Sequence, residues 1–226
     1  MPGSSRRLFL AGSLGTLGVL AASRPVSSAA LHPEARNALD TLMAGNARFV
    51  ADRAICPPLT ARRLELAEGQ SPFAIVVSCS DSRVPVETVF DQIPGNIFGV
   101  RVAGNFVDEH GLGSIEYSVA VLKSTLILVL GHTHCGAVKA TVQYVKDAKP
   151  QPSHIQSLVN AIEPAAKAAK GEPGDWVENA TIANVKESVA NLPRRSTIVE
   201  KAVSAKQLSI AGGVYHLDTG RVTIVT

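Results

Sequence analysis

Two short stretches carry the side chains from which a metal site is built. One is Cys79-Ser80-Asp81-Ser82-Arg83, and the other is Gly131-His132-Thr133-His134-Cys135-Gly136. Two thiolates and one imidazole suit a tetrahedral Zn²⁺, and three protein ligands leave a fourth corner for water. Cys79 and Cys135 would supply the sulfurs. His132 is favoured for the nitrogen over His134, because it is the first residue beyond the glycine that ends an apolar run. Zn²⁺ with two thiolates and a neutral imidazole sums to zero charge, so its water is acidified less than on a metal held by histidines alone. Help must come from nearby. Asp81 and Arg83, two and four residues after Cys79, fit that need. The carboxylate would accept a hydrogen bond from the water, and the guanidinium would clamp the carboxylate. If Asp81 left Arg83 and bound the metal itself, the free corner would close and activity would stop.

For the two stretches to share one ion, the elements ahead of them must be neighbours. Phe73–Val77 and Leu126–Leu130 are compact apolar runs that predict buried strands, each ending just before its stretch. Asn96–Ala103 predicts another. Strands alternating with helices imply an α/β fold: a single domain with a central, mostly parallel sheet flanked by helices. In such a sheet, ligand sites gather beyond the carboxyl ends of the strands. Helical spacing is predicted over Pro33–Asp52, Thr60–Glu68, Gly113–Lys123, Gly136–Asp147, Ser153–Lys170, Asp175–Asn191 (capped by Asp175) and Arg194–Ala205. A helix beginning at Gly136 would favour the Cys135 thiolate over the thiol. Ile210–Leu217 and Arg221–Val225, around Asp218-Thr219-Gly220, predict a C-terminal hairpin.

The 226 residues, 46% hydrophobic, have material for one good-sized core. Residues 1–30 differ in kind. Arg6 and Arg7 precede an apolar stretch from Leu8 to Ala22, and Ser28-Ala29-Ala30 supplies small residues for cleavage. This is the pattern of an export signal, and its paired arginines resemble the twin-arginine type, which carries folded proteins to the periplasm. Its apolar part falls short of the ~20 residues a spanning helix needs. An uncleaved anchor is the alternative. The leader holds Arg6, Arg7 and Arg24 and no acid, so Lys plus Arg falls from 22 to 19, against 19 Asp plus Glu, over residues 31–226. That balance points to no nucleic-acid-binding face. Three cysteines are too few for a disulfide framework. Cys56, before Pro57-Pro58, reads as a spare thiol.

Cys-Ser-Asp-Ser-Arg-Val at 79–84 and Gly-His-Thr-His-Cys-Gly at 131–136, in this order and at this separation, resemble the two zinc motifs of the β-class carbonic anhydrases. The likeness runs from about Asn37 to the hairpin. It implies zinc on Cys79, His132 and Cys135, an Asp81–Arg83 catalytic dyad, and reversible hydration of carbon dioxide to bicarbonate. It also implies a homodimer or tetramer whose N-terminal helix packs on the partner. Gln70, Phe98 and Tyr117 match the substrate pocket of the plant-like branch, and Gly136 belongs to the same pocket. Ala103 stands where that branch keeps a valine. Val76 stands where the other branch has a tryptophan, which argues against that branch's bicarbonate regulation. His110 and His134 are alternative proton shuttles.

Rival readings are a thiol protein with a Cys79–Cys135 disulfide, a closed zinc site with Asp81 as permanent fourth ligand, and a same-fold hydrolase of carbon disulfide or carbonyl sulfide.

Overall fold

Strands β1 (Ala74–Ser78), β2 (Ile97–Arg101), β3 (Leu126–His132), β4 (Ser209–Tyr215) and β5 (Val222–Ile224) form one sheet in the order β2-β1-β3-β4-β5. The first four run parallel and β5 returns antiparallel to β4. This computed structural model describes residues 31–55 and 60–226. The expected export signal at residues 1–30 and the thiol of Cys56 lie outside the described residues.

Both central strands are buried on both faces, as their unbroken apolar sequences require. Side chains alternate across the sheet. Val76, Leu126, Leu128 and Leu130 join one core with helix α1 (Pro33–Val50) through its Ala35, Ala38, Leu39 and Leu42. Ile75, Val77, Ile127 and Val129 join the other core with Ile115, Val185, Leu192 and Val199. The apolar stripe of α1 is therefore taken up by its own sheet. Any packing of α1 on a partner falls to its remaining residues.

Helix α2 (Thr60–Glu68) precedes β1, and a short helix α3 (Val86–Val89), not anticipated from the sequence, follows it. The predicted helix from Gly113 starts earlier. Asp108 caps helix α4 (Glu109–Tyr117) by accepting from the Gly111 N–H at 2.7 Å, and a π-helical turn, Ser118–Leu122, continues it. Helices α5 (Gly136–Asp147), α6 (Ile155–Ala168), α7 (Trp176–Arg195) and α8 (Thr197–Ser204) cover the second face and its flank. Asp175 caps α7 as expected, accepting from Glu178 N–H at 2.9 Å. Yet α7 runs through Pro193 rather than stopping at Asn191. Buried Leu192 anchors that last turn, and Ser196 both ends α7 and caps α8.

Helix α7 lies against β3 with no spare room. A methyl group at Gly131 would stand 2.7 Å from Val185 Cγ2. Among the described residues no helix is long and apolar enough to cross a membrane.

Candidate metal centre and active site

Strands β1 and β3 are direct neighbours with Ser78 opposite Leu130, so the residues after both strands emerge at the same edge. Cys79 follows β1, His132 ends β3, and Cys135 caps α5. Their ligand atoms all lie within 4.8 Å of one another, and all three residues are buried. The Cys79 and Cys135 sulfurs stand 4.0 Å apart as free thiols, not a disulfide. Two thiolates on a tetrahedral zinc with bonds of about 2.3 Å stand roughly 3.8 Å apart.

The histidine is prepared to be a ligand. His132 Nδ1 lies 2.9 Å from the Thr133 carbonyl, which fixes the proton on Nδ1 and leaves the Nε2 lone pair free. Nε2 is fully buried and has no hydrogen-bond partner. A buried polar atom without a partner is costly, and a cation beside two sulfurs removes that cost. His134 is exposed, in a left-handed backbone conformation, and stands outside the cluster.

The sulfurs divide a proton unevenly. The hydrogen bond with Cys135 holds the Cys79 thiol below its usual range against the opposing effect of burial, helped by the Gly104 N–H. The same bond and burial keep the Cys135 thiol above its usual range, although the α5 amides of Val138 and Ala137 favour its thiolate. A divalent cation between the sulfurs would displace that proton. The donor set and its spacing fit zinc.

Arg83 grips Asp81 at two points, Nε to Oδ1 at 2.9 Å and Nη2 to Oδ2 at 2.7 Å, and the Arg83 backbone N–H adds a third bond. These bonds hold the Asp81 carboxyl well below the usual carboxylate range. Asp81 Oδ2 lies 3.8 Å from His132 Nε2. The carboxylate thus borders the metal cluster while committed to arginine.

Sequence reasoning missed two supports. Arg101 Nε donates to the Cys79 carbonyl at 3.1 Å and its Nη2 to the Asp81 carbonyl at 2.8 Å, fixing the loop that carries both. Its place opposite Ser78 at the end of β2 follows only once strand register is known. Gly104 donates its N–H to Cys79 Sγ at 3.3 Å. A glycine after Val102-Ala103 signals a turn, but not what the turn faces.

A family model described as carbonic anhydrase matches residues 74–222. The chain belongs to the carbonic anhydrases. The carbonic anhydrase of Mycolicibacterium smegmatis is 41% identical over 181 residues, covering 80% of this chain and 88% of that one. A solved Coccomyxa β-carbonic anhydrase in complex with acetazolamide superposes with a TM-score of 0.61 at 27% identity, over 84% of this chain and 82% of that one. One of two tetrameric β-carbonic anhydrases from Sordaria macrospora shares the fold at a TM-score of 0.65 and 22% identity, over 83% and 96% of the chains. As a β-carbonic anhydrase, the protein catalyses the reversible hydration of carbon dioxide.

The residues expected to line the pocket of this carbonic anhydrase separate into two groups. Ala103 adjoins Gly104 beside Cys79, and Gly136 adjoins Cys135 with open space where a side chain would stand. Gln70, Phe98 and Tyr117 are not brought to the same place. Phe98 pairs with Ile75, near the start of β1, which puts it about 13 Å along the sheet from Cys79. The Tyr117 ring lies 6.4 Å from that of Phe98 and Tyr117 is 49% exposed. Gln70 precedes β1 and is exposed. Within one chain these three sit toward the amino ends of the strands, while the metal cluster sits at the carboxyl ends.

Proposed function

We propose that this β-carbonic anhydrase works through one zinc ion per chain held by Cys79, His132 and Cys135, with Asp81 and Arg83 as its catalytic dyad. The observation that carries this reading is the buried, unpartnered Nε2 of His132 facing two sulfurs 4.0 Å apart. Zinc bound there supplies Lewis acidity, which acidifies water and provides a nucleophile near neutral pH.

The chain's own residues then orient and shelter the reaction. Asp81, kept ionised by Arg83, accepts the hydrogen bond of the attacking water and turns its lone pair toward carbon dioxide. While the Arg83 fork holds, Asp81 stays off the metal and the substrate corner stays free. Gly136 leaves room for a small, apolar substrate beside the sulfurs, and Ala103 contributes only a methyl group there.

Phe98, Tyr117 and Gln70 serve the site of a second subunit. The Tyr117 ring and the Gln70 amide lie exposed and the Phe98 ring half-buried beside them at one edge of the sheet, so a homodimer can lay them over a partner's cluster as the plant-like pocket. The aromatic pair would hold carbon dioxide and the Gln70 amide would donate to one of its oxygens. The outer residues of α1 then join the same interface, and pairing of such dimers makes a tetramer, the state named for the Sordaria proteins. Residues 1–30 act as a twin-arginine export signal and place the enzyme in the periplasm, on the strength of Arg6-Arg7, the apolar Leu8–Ala22 and the small residues before Leu31.

Stopped-flow hydration of carbon dioxide from about pH 7 to 9, with and without a zinc chelator, tests the reading. Activity that the chelator abolishes and zinc restores supports it. Activity indifferent to metal refutes it.

A further inference from the structure

Asn184 sits on the buried face of α7, 3% exposed, and is far from the metal cluster in sequence. Its Nδ2 donates a 2.7 Å hydrogen bond to the Gly104 carbonyl. Gly104 is the third residue of a turn closed by the Asn105 N–H donating to the Val102 carbonyl at 3.0 Å, and its φ of +86° is one that glycine alone adopts at no cost. On the other side of the same Cα, the Gly104 N–H meets Cys79 Sγ at 3.3 Å. A Cβ at Gly104 would lie 2.4 Å from Ile162 Cδ1, so α6 holds the turn from one side while Asn184 holds it from α7.

We propose that Asn184 is a positioning residue for the metal centre: by fixing the Gly104 carbonyl it aims the Gly104 N–H at the Cys79 sulfur. This rests on the reading of Cys79, His132 and Cys135 as zinc ligands. An N–H aimed at a thiolate draws negative charge from the sulfur. Two thiolates cancel the charge of a divalent ion, so a donor that withdraws charge from one of them leaves the ion a stronger Lewis acid. Partners of this outer kind change metal affinity by about 10- to 100-fold when removed.

The test uses the full chain loaded with cobalt(II) or zinc. Asn184→Leu keeps the branched shape and removes the donor, and the cavity of about 200 Å³ that Asn184 lines gives the larger leucine room. Asn184→Ala, whose small side chain lets solvent reach the Gly104 carbonyl, decides the matter if the leucine variant does not fold. Both variants are expected to shift the sulfur-to-cobalt charge-transfer band to longer wavelength and to hold zinc at least about tenfold less tightly against a competing chelator at pH 7. Ser188→Ala, on the same face of α7 and lining the same cavity, is expected to change neither. A folded Asn184 variant with the wild-type band and wild-type zinc affinity would overturn the proposal. A wild-type chain that binds neither metal would instead overturn the zinc reading beneath it.

Discussion

Asp81 Oδ2 accepts from Arg83 Nη2 at 2.7 Å and stands 3.8 Å from His132 Nε2, so one carboxylate oxygen is shared between the arginine and the edge of the metal cluster. Arg83 decides which neighbour has it. Arg83→Ala would free the carboxylate to close on a bound metal, and Asp81→Asn removes the negative charge and turns one acceptor oxygen into a donor. Both are expected to cut kcat/KM for carbon dioxide hydration by about a hundredfold or more, with zinc content unchanged by elemental analysis. A variant with full activity would remove Asp81 and Arg83 from the mechanism.

Cys135→Ser removes one of the two sulfurs 4.0 Å apart. Zinc at about a hundred times its Kd stabilises a folded protein by roughly 2.7 kcal/mol. In a domain of this size that is a rise in Tm of about 5 to 10 °C. Calorimetry of the wild type with and without zinc is expected to show this gap, and Cys135→Ser to lose it.

The Asp81–Arg83 pair also sets a pH dependence whose sign is fixed. The folded carboxyl titrates below its ordinary range, so the pair contributes stability fully above the unfolded value near ~3.9, and loses it as pH falls toward the folded value. The stability difference between wild type and Asp81→Asn, both metal-free, is therefore expected to be flat from pH 8 to 5 and to shrink only in stronger acid. Urea titrations along the pH series check it. A difference that collapses near pH 6 would contradict it.

How much of this was legible in the sequence depends on whether a feature is local. The candidate ligand cluster was, because apolar strands announce their own ends: His132 ends one, and Cys79 and Cys135 sit one and three residues beyond theirs. The cap at Asp175 and the C-terminal hairpin were legible for the same reason. What was not legible was non-local. Pro193 reads as a helix stop until buried Leu192 is seen holding the turn in place. Phe98, Gln70 and Tyr117 match a pocket motif, but a motif does not say that its members face opposite ends of the sheet from the metal. Arg101 and Asn184 act through backbone carbonyls of distant residues, and no side-chain pattern encodes that.

Gly131 lets α7 lie against β3 one residue before His132. In Gly131→Ala the new methyl meets buried, β-branched Val185, whose χ1 has little freedom to yield. The expected cost is about 1 to 3 kcal/mol, read by denaturant unfolding of the metal-free protein. A neutral substitution would mean that α7 moves away from β3 without cost.

Mixing two inactive chains tests whether the pocket spans subunits. Cys135→Ser chains lack a metal site but keep Tyr117 and Phe98; Tyr117→Ala chains have the reverse defect. Subunit exchange is expected to restore activity, since each mixed dimer contains one intact site. If Tyr117 serves its own chain, the mixture stays as inactive as its components.

X-ray absorption at the zinc edge of the purified, zinc-loaded protein tests the metal centre most directly. The expected spectrum has two sulfur scatterers at about 2.3 Å and nitrogen or oxygen scatterers at about 2.0 to 2.1 Å, and loses one sulfur in Cys79→Ser. A zinc shell without sulfur, or one unchanged in Cys79→Ser, would contradict it.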